Sequence, residues 1–130
     1  MRQSASTHPA LRIFLVENHA DTLKWLTLYL EQMGHHVSSA TSVAEALEAL
    51  PRADWDVFIS DIGLPDGDGW ELMKRANLPK KVYTIAMSGF GMNADRLRSK
   101  STGFRHHMLK PFNPQELDGL LDEAARELAH

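Results

Sequence analysis

The sequence of 130 residues contains no cysteine. This absence excludes disulfide bonds, iron–sulfur clusters, thiolate zinc sites and a cysteine nucleophile. No stretch approaches the ~20 apolar residues that a membrane-spanning helix needs. Residues 1–10 are polar and lack the apolar core of a signal peptide. We therefore expect a cytoplasmic protein with no membrane partner and a short disordered tail at residues 1–10.

Basic residues are not in excess either. Fourteen Lys and Arg stand against 17 Asp and Glu, which gives a net charge of −3. A general nucleic-acid-binding surface normally needs a basic excess, so no nucleic-acid partner is expected. The composition is otherwise that of an ordinary globular protein, with 43% hydrophobic and 24% charged residues. At ~100–150 residues per domain, the length fits a single domain.

Short apolar runs alternate with helical patterns along the chain. The predicted strands cover residues 13–16, 36–40, 57–60, 82–87 and 105–109, and the helices that follow them start at 20, 43, 70, 93 and 114. Strict alternation of this kind predicts an α/β fold, with a parallel sheet covered by helices on both faces. At this size we expect the flavodoxin-like (βα)5 doubly wound sheet, with strand order 2-1-3-4-5.

Two local signals refine this assignment. Ser42 and Glu45 form a capping box at the start of the second helix, and Pro51 is expected to end that helix. Residues 63–69 contain three glycines, a proline and two aspartates, and this density of breakers predicts a loop.

Polar residues follow four of the five predicted strands. Glu17 and Asn18 end the first strand, Asp61 the third, Ser88 the fourth and Lys110 the fifth. In an open parallel sheet, ligands bind beyond the carboxyl ends of the strands at the point where the strand order reverses. That point lies between the first and third strands here. We therefore expect these five side chains to converge on one site.

The residue types of this site fit one chemistry. Carboxylate and carbonyl oxygens suit Mg²⁺, which binds through one or two carboxylates and a phosphate. Lys110 can neutralise a phosphate, and the Ser88 hydroxyl can bond a phosphoryl oxygen. An aspartate can itself attack phosphorus and form an aspartyl phosphate. Any one strand-end residue marks only where a buried strand meets water, but the set predicts phosphoryl transfer onto Asp61.

From Leu11 to about Leu128 the sequence resembles the receiver domain of two-component response regulators. The resemblance rests on Glu17-Asn18, Asp61-Ile62-Gly63-Leu64-Pro65 with Asp68-Gly69 beyond it, Ser88, and Lys110-Pro111. It implies a receiver domain over residues 11–130 and a cis peptide bond at Lys110-Pro111. It also implies that the protein is not a conventional enzyme, but catalyses its own aspartyl phosphorylation and dephosphorylation.

The resemblance assigns a role to each site residue. Asp61 would be the phosphoacceptor, with Lys110 and Ser88 on the phosphoryl group. Ser88 and His107 would form the switch. The Mg²⁺ ligands would be Glu17, Asn18, Asp61 and the backbone carbonyl of Gly63.

The resemblance also implies partners. The phosphoryl donor would be a phosphohistidine on a sensor or hybrid histidine kinase or on a phosphotransfer protein. The phrases at residues 15–19 and 106–111 look most like receivers associated with hybrid histidine kinases. Phosphorylation would change the face made by the fourth helix, fifth strand and fifth helix. That face would contact a downstream protein, and the chain would be a monomer or a weak homodimer through it.

Three positions depart from the family pattern. Asn18 stands where a second acid is usual, so we expect weaker Mg²⁺ binding but not its loss. His107 replaces the usual Tyr or Phe of the switch; it can still bond Ser88, and its charge varies near neutral pH. Gly63 replaces a larger side chain beside the acceptor, and we expect easier access of water and a shorter phosphoryl lifetime.

Two other functions fit parts of the pattern. A pseudo-receiver would keep the fold but act through protein contacts without phosphorylation, and Asn18 favours it. A small Mg²⁺-dependent phosphohydrolase with an aspartyl nucleophile would need a second acid two residues after Asp61. Gly63 occupies that position.

The remaining histidines and tryptophans have simpler interpretations. The pairs His35-His36 and His106-His107 point to opposite faces of a strand, so neither forms a two-ligand zinc site, and we expect surface residues. Trp25 and Trp55 are predicted to pack in the core or at its edge. Trp70 follows the acceptor loop and is expected to report on its state.

Overall fold

The computed structural model describes residues 10–89 and 93–129, apart from the side chain of Asn93. Residues 1–9 of the predicted tail lie outside the described residues. Five strands form one sheet: β1 (Arg12–Val16), β2 (His36–Ala40), β3 (Val57–Asp61), β4 (Tyr83–Ser88) and β5 (His106–Leu109). All neighbours are parallel, in the order β2-β1-β3-β4-β5. The predicted flavodoxin-like topology is confirmed.

Helices cover both faces of this sheet. They are α1 (Ala20–Gln32), α2 (Val43–Ala49), α3 (Gly69–Ala76), α4 (Asn93–Ser101) and α5 (Pro114–Leu128). None of the helices in the described ranges is long and apolar enough to cross a membrane. Each central strand serves two cores because successive side chains alternate between its faces. In β1, Ile13 packs with α1 and α5, whereas Phe14 packs with α2 and α3.

The start of α2 is held from two sides. The Glu45 N–H donates to Ser42 Oγ at 3.1 Å, as the capping box predicts. The Glu45 carboxylate accepts from the Thr41 N–H at 2.7 Å, one residue before the expected partner. Asp66 accepts from the N–H groups of Val43 (2.7 Å) and Ala44 (3.0 Å). The acceptor-loop region is thereby attached to α2.

One predicted loop and one predicted helix start differ from the structure. The α-helix α2 ends at Ala49, just before Pro51 as predicted, and a 3-10 turn (Leu50–Arg52) follows it. Proline is tolerated in the first turn of a helix, where its missing N–H has no partner to lose. The segment predicted as a loop contains a small hairpin, in which Gly63–Leu64 pairs antiparallel with Gly67–Asp68. Gly69 then begins α3, one residue earlier than expected.

The expected surface position of His35 was wrong, whereas Trp25 packs at the edge of the core on Tyr29 and Phe112. His35 is buried, and its Nδ1 accepts a hydrogen bond from the Leu11 N–H at 3.0 Å. Trp25 is 44% exposed and stacks on Tyr29 with ring centroids 5.6 Å apart. The sequence did not indicate the burial of His35, because this residue precedes β2 and its partner, Leu11, comes from a distant part of the chain.

Candidate functional site

The carboxyl ends of β1, β3 and β5 bring three charged side chains together. Glu17 is fully buried and Asp61 is 4% exposed. Lys110 Nζ donates to Asp61 Oδ2 at 3.0 Å and also bonds Glu17 Oε1. The ammonium therefore bridges two buried carboxylates, at the switch point where the sequence predicted convergence. The Lys110-Pro111 peptide bond is cis, as expected.

Backbone contacts from the start of α3 fix the chain at Asp61 and Ile62. Gly69 N–H donates to the Ile62 carbonyl at 2.8 Å. A Cβ atom at Gly69 would lie 2.5 Å from the Asp61 carbonyl oxygen, closer than real Cβ contacts come. Glycine at 69 is therefore required by the close approach of α3 to the end of β3.

Burial and the contacts between Lys110 and the carboxylates shift the pKa of each of the three groups in opposite directions. Burial raises the pKa of Asp61, the nearby Glu17 charge adds to this, and Lys110 opposes it without cancelling it. Burial would also raise the pKa of Glu17, but hydrogen bonds from Lys110 and His19 outweigh it and leave that pKa below its usual value. The pKa of Lys110 is raised, because its bonds to both carboxylates exceed the cost of its own burial.

His19 joins this cluster, although the sequence did not single it out. Its backbone N–H donates to Glu17 Oε2 at 2.9 Å, and its Nδ1 lies 2.9 Å from the same oxygen. The distance from Nδ1 to Asp61 Oδ2 is 3.9 Å. Glu17, His19 and Asp61 each offer one ligand atom within 4.8 Å of the others. The only sequence signal for His19 is its position two residues after Glu17.

Asn18 and Gly63, the other two predicted metal ligands, are exposed beside the cluster. A Cβ atom at Gly63 would meet no atom within 4 Å, so the space beside Gly63 is open. Glycine in place of the family's larger side chain predicted this open space. A cavity of about 430 Å³ lies above Asp61, and its wall includes Gly63, Trp70, Ser88 and Lys110. This volume can hold a phosphoryl group and its surrounding water.

A chain of hydrogen bonds leads away from this cavity. Ser88 Oγ lies 2.7 Å from His107 Nε2, and His107 Nδ1 lies 2.7 Å from Ser99 Oγ. The Trp70 indole N–H donates to Ser99 Oγ at 2.9 Å. Burial lowers the pKa of His107, Arg96 lowers it further, and Asp95 opposes both.

The chain connects β4, β5, α4 and α3. Ser88 and His107 are adjacent, as predicted for a switch pair. Ser99 was not predicted as part of the site, because it is 1% exposed in a polar helix where no sequence pattern marks it.

Comparisons with known proteins show the family and the fold. The family model of the response regulator receiver domain matches residues 13–122. An uncharacterized 14.6 kDa protein from the sodA1 3' region of Leptolyngbya boryana is 33% identical over 114 residues, covering 85% of this chain and 87% of that protein. The transcriptional regulatory protein HprR of Escherichia coli is 27% identical, covering 82% of this chain and 48% of that protein. The chain thus spans about half the length of several regulators that it matches.

A solved structure shows the same fold. The CheY-like receiver domain protein from Methanospirillum hungatei superposes with a TM-score of 0.86 at 26% identity, covering 92% of this chain and 97% of that one.

Proposed function

Because the chain belongs to the family of response regulator receiver domains, we propose that it accepts a phosphoryl group on Asp61 in a two-component phosphorelay. The observation that carries the proposal is the position of Asp61. Its carboxylate is nearly buried, is bonded to Lys110 at 3.0 Å, and opens into the cavity. In this proposal the receiver domain covers residues 11–130 and follows a short tail.

The proposed step is a direct transfer from a phosphohistidine. A carboxylate oxygen of Asp61 attacks the phosphorus atom and forms an O–P bond as the P–N bond breaks. The histidine nitrogen leaves with the electron pair and takes up a proton. Lys110 stabilises the ionised carboxylate before transfer and the phosphoryl charge after it. Ser88 is placed at the cavity wall to donate to a phosphoryl oxygen.

The residues of the site fit Mg²⁺. The carboxylates of Glu17 and Asp61, with ligand atoms within 4.8 Å of one another, are the hard oxygen donors that this ion prefers. We propose Glu17, Asn18, Asp61 and the backbone carbonyl of Gly63 as its ligands. When bound, Mg²⁺ would neutralise charge on the transferring group. Asn18 contributes no charge, so the affinity should be lower than with an acid there.

We further propose that Ser88 and His107 act as the switch and that α4, β5 and α5 form the output face. Leu97 on α4 is 68% exposed, the largest value among the exposed large apolar side chains described. It offers an apolar contact for a downstream protein or for a weak homodimer. The donor would be a sensor or hybrid histidine kinase or a phosphotransfer protein, and the location cytoplasmic.

Incubation with acetyl phosphate and Mg²⁺ tests the acceptor directly. Intact-mass spectrometry should show one added phosphoryl group in the wild-type protein and none in Asp61→Asn. Beryllofluoride should change the Trp fluorescence of the wild type, because Trp70 lines the cavity. An adduct that persists in Asp61→Asn would refute the assignment of the acceptor.

The pseudo-receiver is the second candidate, since Asn18 removes a charge from the metal site. It predicts no adduct and no beryllofluoride response at any Mg²⁺ concentration. A phosphohydrolase would turn over phosphate esters. We expect no turnover, because Gly63 provides no acid or base two residues after Asp61.

A further inference from the structure

We propose that Trp70 and Ser99 fix the tautomer of His107 and so keep its ring from accepting the hydroxyl proton of Ser88, at the wall of the acceptor cavity. The inference rests on the proposed function, since it gives that cavity a phosphoryl oxygen to receive the proton. It assigns positioning roles to two residues outside the acceptor cluster.

The direction of the hydrogen-bond chain is set at its Trp70 end. An indole N–H can only donate, so Ser99 Oγ must accept this bond. Ser99 is 1% exposed, and the hydrogen bonds found for its hydroxyl within the described ranges are those to Trp70 and His107. The one proton of Ser99 therefore has His107 Nδ1, 2.7 Å away, as its acceptor.

The remaining bonds follow from that proton. If Ser99 donates to Nδ1, the neutral imidazole carries its hydrogen on Nε2 and donates it to Ser88 Oγ. Ser88 then accepts from His107, and its own proton is not committed to the ring. In the opposite tautomer, Ser99 would accept from both neighbours and its buried proton would point at neither. A buried donor without an acceptor is costly, so the first arrangement is favoured.

Neighbouring charges support a neutral ring. Burial and the Arg96 guanidinium both lower the pKa of His107, with Asp95 acting against them. The Arg98 guanidinium lies 4.1 Å from the centre of the Trp70 ring and holds the indole in place by a cation–π contact.

The consequence for the site concerns Ser88. Phosphoryl oxygens only accept hydrogen bonds, so Ser88 must donate to them. A His107 ring that donates to Ser88 does not compete with the phosphoryl group for this proton. A ring that accepts from Ser88 would compete with the phosphoryl group for it.

Trp70→Phe tests the inference because it removes the indole N–H but keeps an aromatic ring beside Arg98. Trp55→Phe is the matched control. In the wild type, the indole N–H of Trp55 donates to the Leu50 carbonyl at 2.9 Å. Both residues precede β3 and are absent from the lining of the acceptor cavity. The ¹⁵N shifts of the His107 ring are measured in unphosphorylated protein. We expect the Nε2–H tautomer in the wild type and in Trp55→Phe, and a mixture in Trp70→Phe and in Ser99→Ala.

A second measurement links the tautomer to the site. Beryllofluoride affinity should fall by about three- to tenfold in Trp70→Phe, as for one lost neutral hydrogen bond, and stay unchanged in Trp55→Phe. An Nδ1–H tautomer in the wild type, or unchanged ring shifts in Trp70→Phe, would overturn the inference. Failure of the wild type to bind beryllofluoride would instead count against the proposed function, because the tautomer is measured without it.

Discussion

Replacing Gly69 with alanine would push a methyl group against the backbone of the acceptor residue. The added Cβ would lie 2.5 Å from the Asp61 carbonyl oxygen and 3.1 Å from two carbons of Ile62. Even weak C–H···O contacts keep carbon about 3.3 Å from oxygen, so the two backbone segments must separate by about 0.8 Å. The Asp61 oxygen and the Ile62 Cα are main-chain atoms and cannot relieve the contact by changing a rotamer, whereas the Ile62 Cδ1 can move aside.

The expected magnitude follows from two opposing contributions. Overpacking of a tight site costs about 1–3 kcal/mol, and a contact between backbones belongs at the upper end. Alanine gains at most about 1 kcal/mol over glycine in a helix. We therefore expect Gly69→Ala to lower the free energy of unfolding by about 2 kcal/mol. For a chain of this length, that corresponds to a fall in Tm of about 6–10 °C.

Gly119→Ala provides the control, because the chemical change is the same. Gly119 is exposed within α5, and a Cβ there would meet no atom within 4 Å. Replacing Gly119 with alanine should raise the free energy of unfolding by about 0.5–1 kcal/mol. Thermal unfolding followed by circular dichroism should therefore show shifts of opposite sign. If Gly69→Ala also raised Tm, the close approach of α3 to the acceptor strand would be refuted.

Three further predictions concern charge. Asn18→Asp should tighten Mg²⁺ binding in a fluorescence titration by adding an anionic ligand; equal affinities would contradict the proposed role. Lys110→Met leaves two buried carboxylates without their cation, and urea unfolding should show a loss of about 3 kcal/mol or more; no loss would mean that the bridge is unimportant. Burial and Asp118 raise the pKa of Tyr29 to about 12. Because the folded state prefers the neutral phenol, this contribution to stability is complete below pH ~10 and is lost as pH rises towards 12. Asp118→Asn should lower the midpoint of the phenolate absorbance, and an unchanged midpoint would exclude the contact.

The sheet was predictable because buried parallel strands carry a strong signal. The runs at 57–60 and 82–87 are apolar on both faces, and the resulting order confirms the predicted topology. The hairpin after Asp61 was not predicted, because its pairs involve only two residues on each side. Dense glycine and aspartate indicated the turn but not the pairing.

The candidate site was likewise predictable in part. Glu17, Asp61 and Lys110 end predicted strands, so topology alone brought them together. His19 and Ser99 belong to the site because of side-chain geometry, one in a short turn and the other in a polar helix. No period or motif marks such residues, since their neighbours come from distant parts of the chain.

The attachment of Asp66 to the first turn of α2 gives the acceptor cavity two unequal sides. On one side, the hairpin is bonded to α2 through Asp66, and the end of β3 packs without clearance against Gly69. On the other side, the wall at Ser88 is joined to α4 through His107 and Ser99, by single hydrogen bonds that can exchange partners. A charge placed on Asp61 would meet a fixed anchor in one direction and an adjustable linkage in the other. The asymmetry of the wall, in addition to the chemistry of the acceptor, would then set the direction in which a signal leaves the domain.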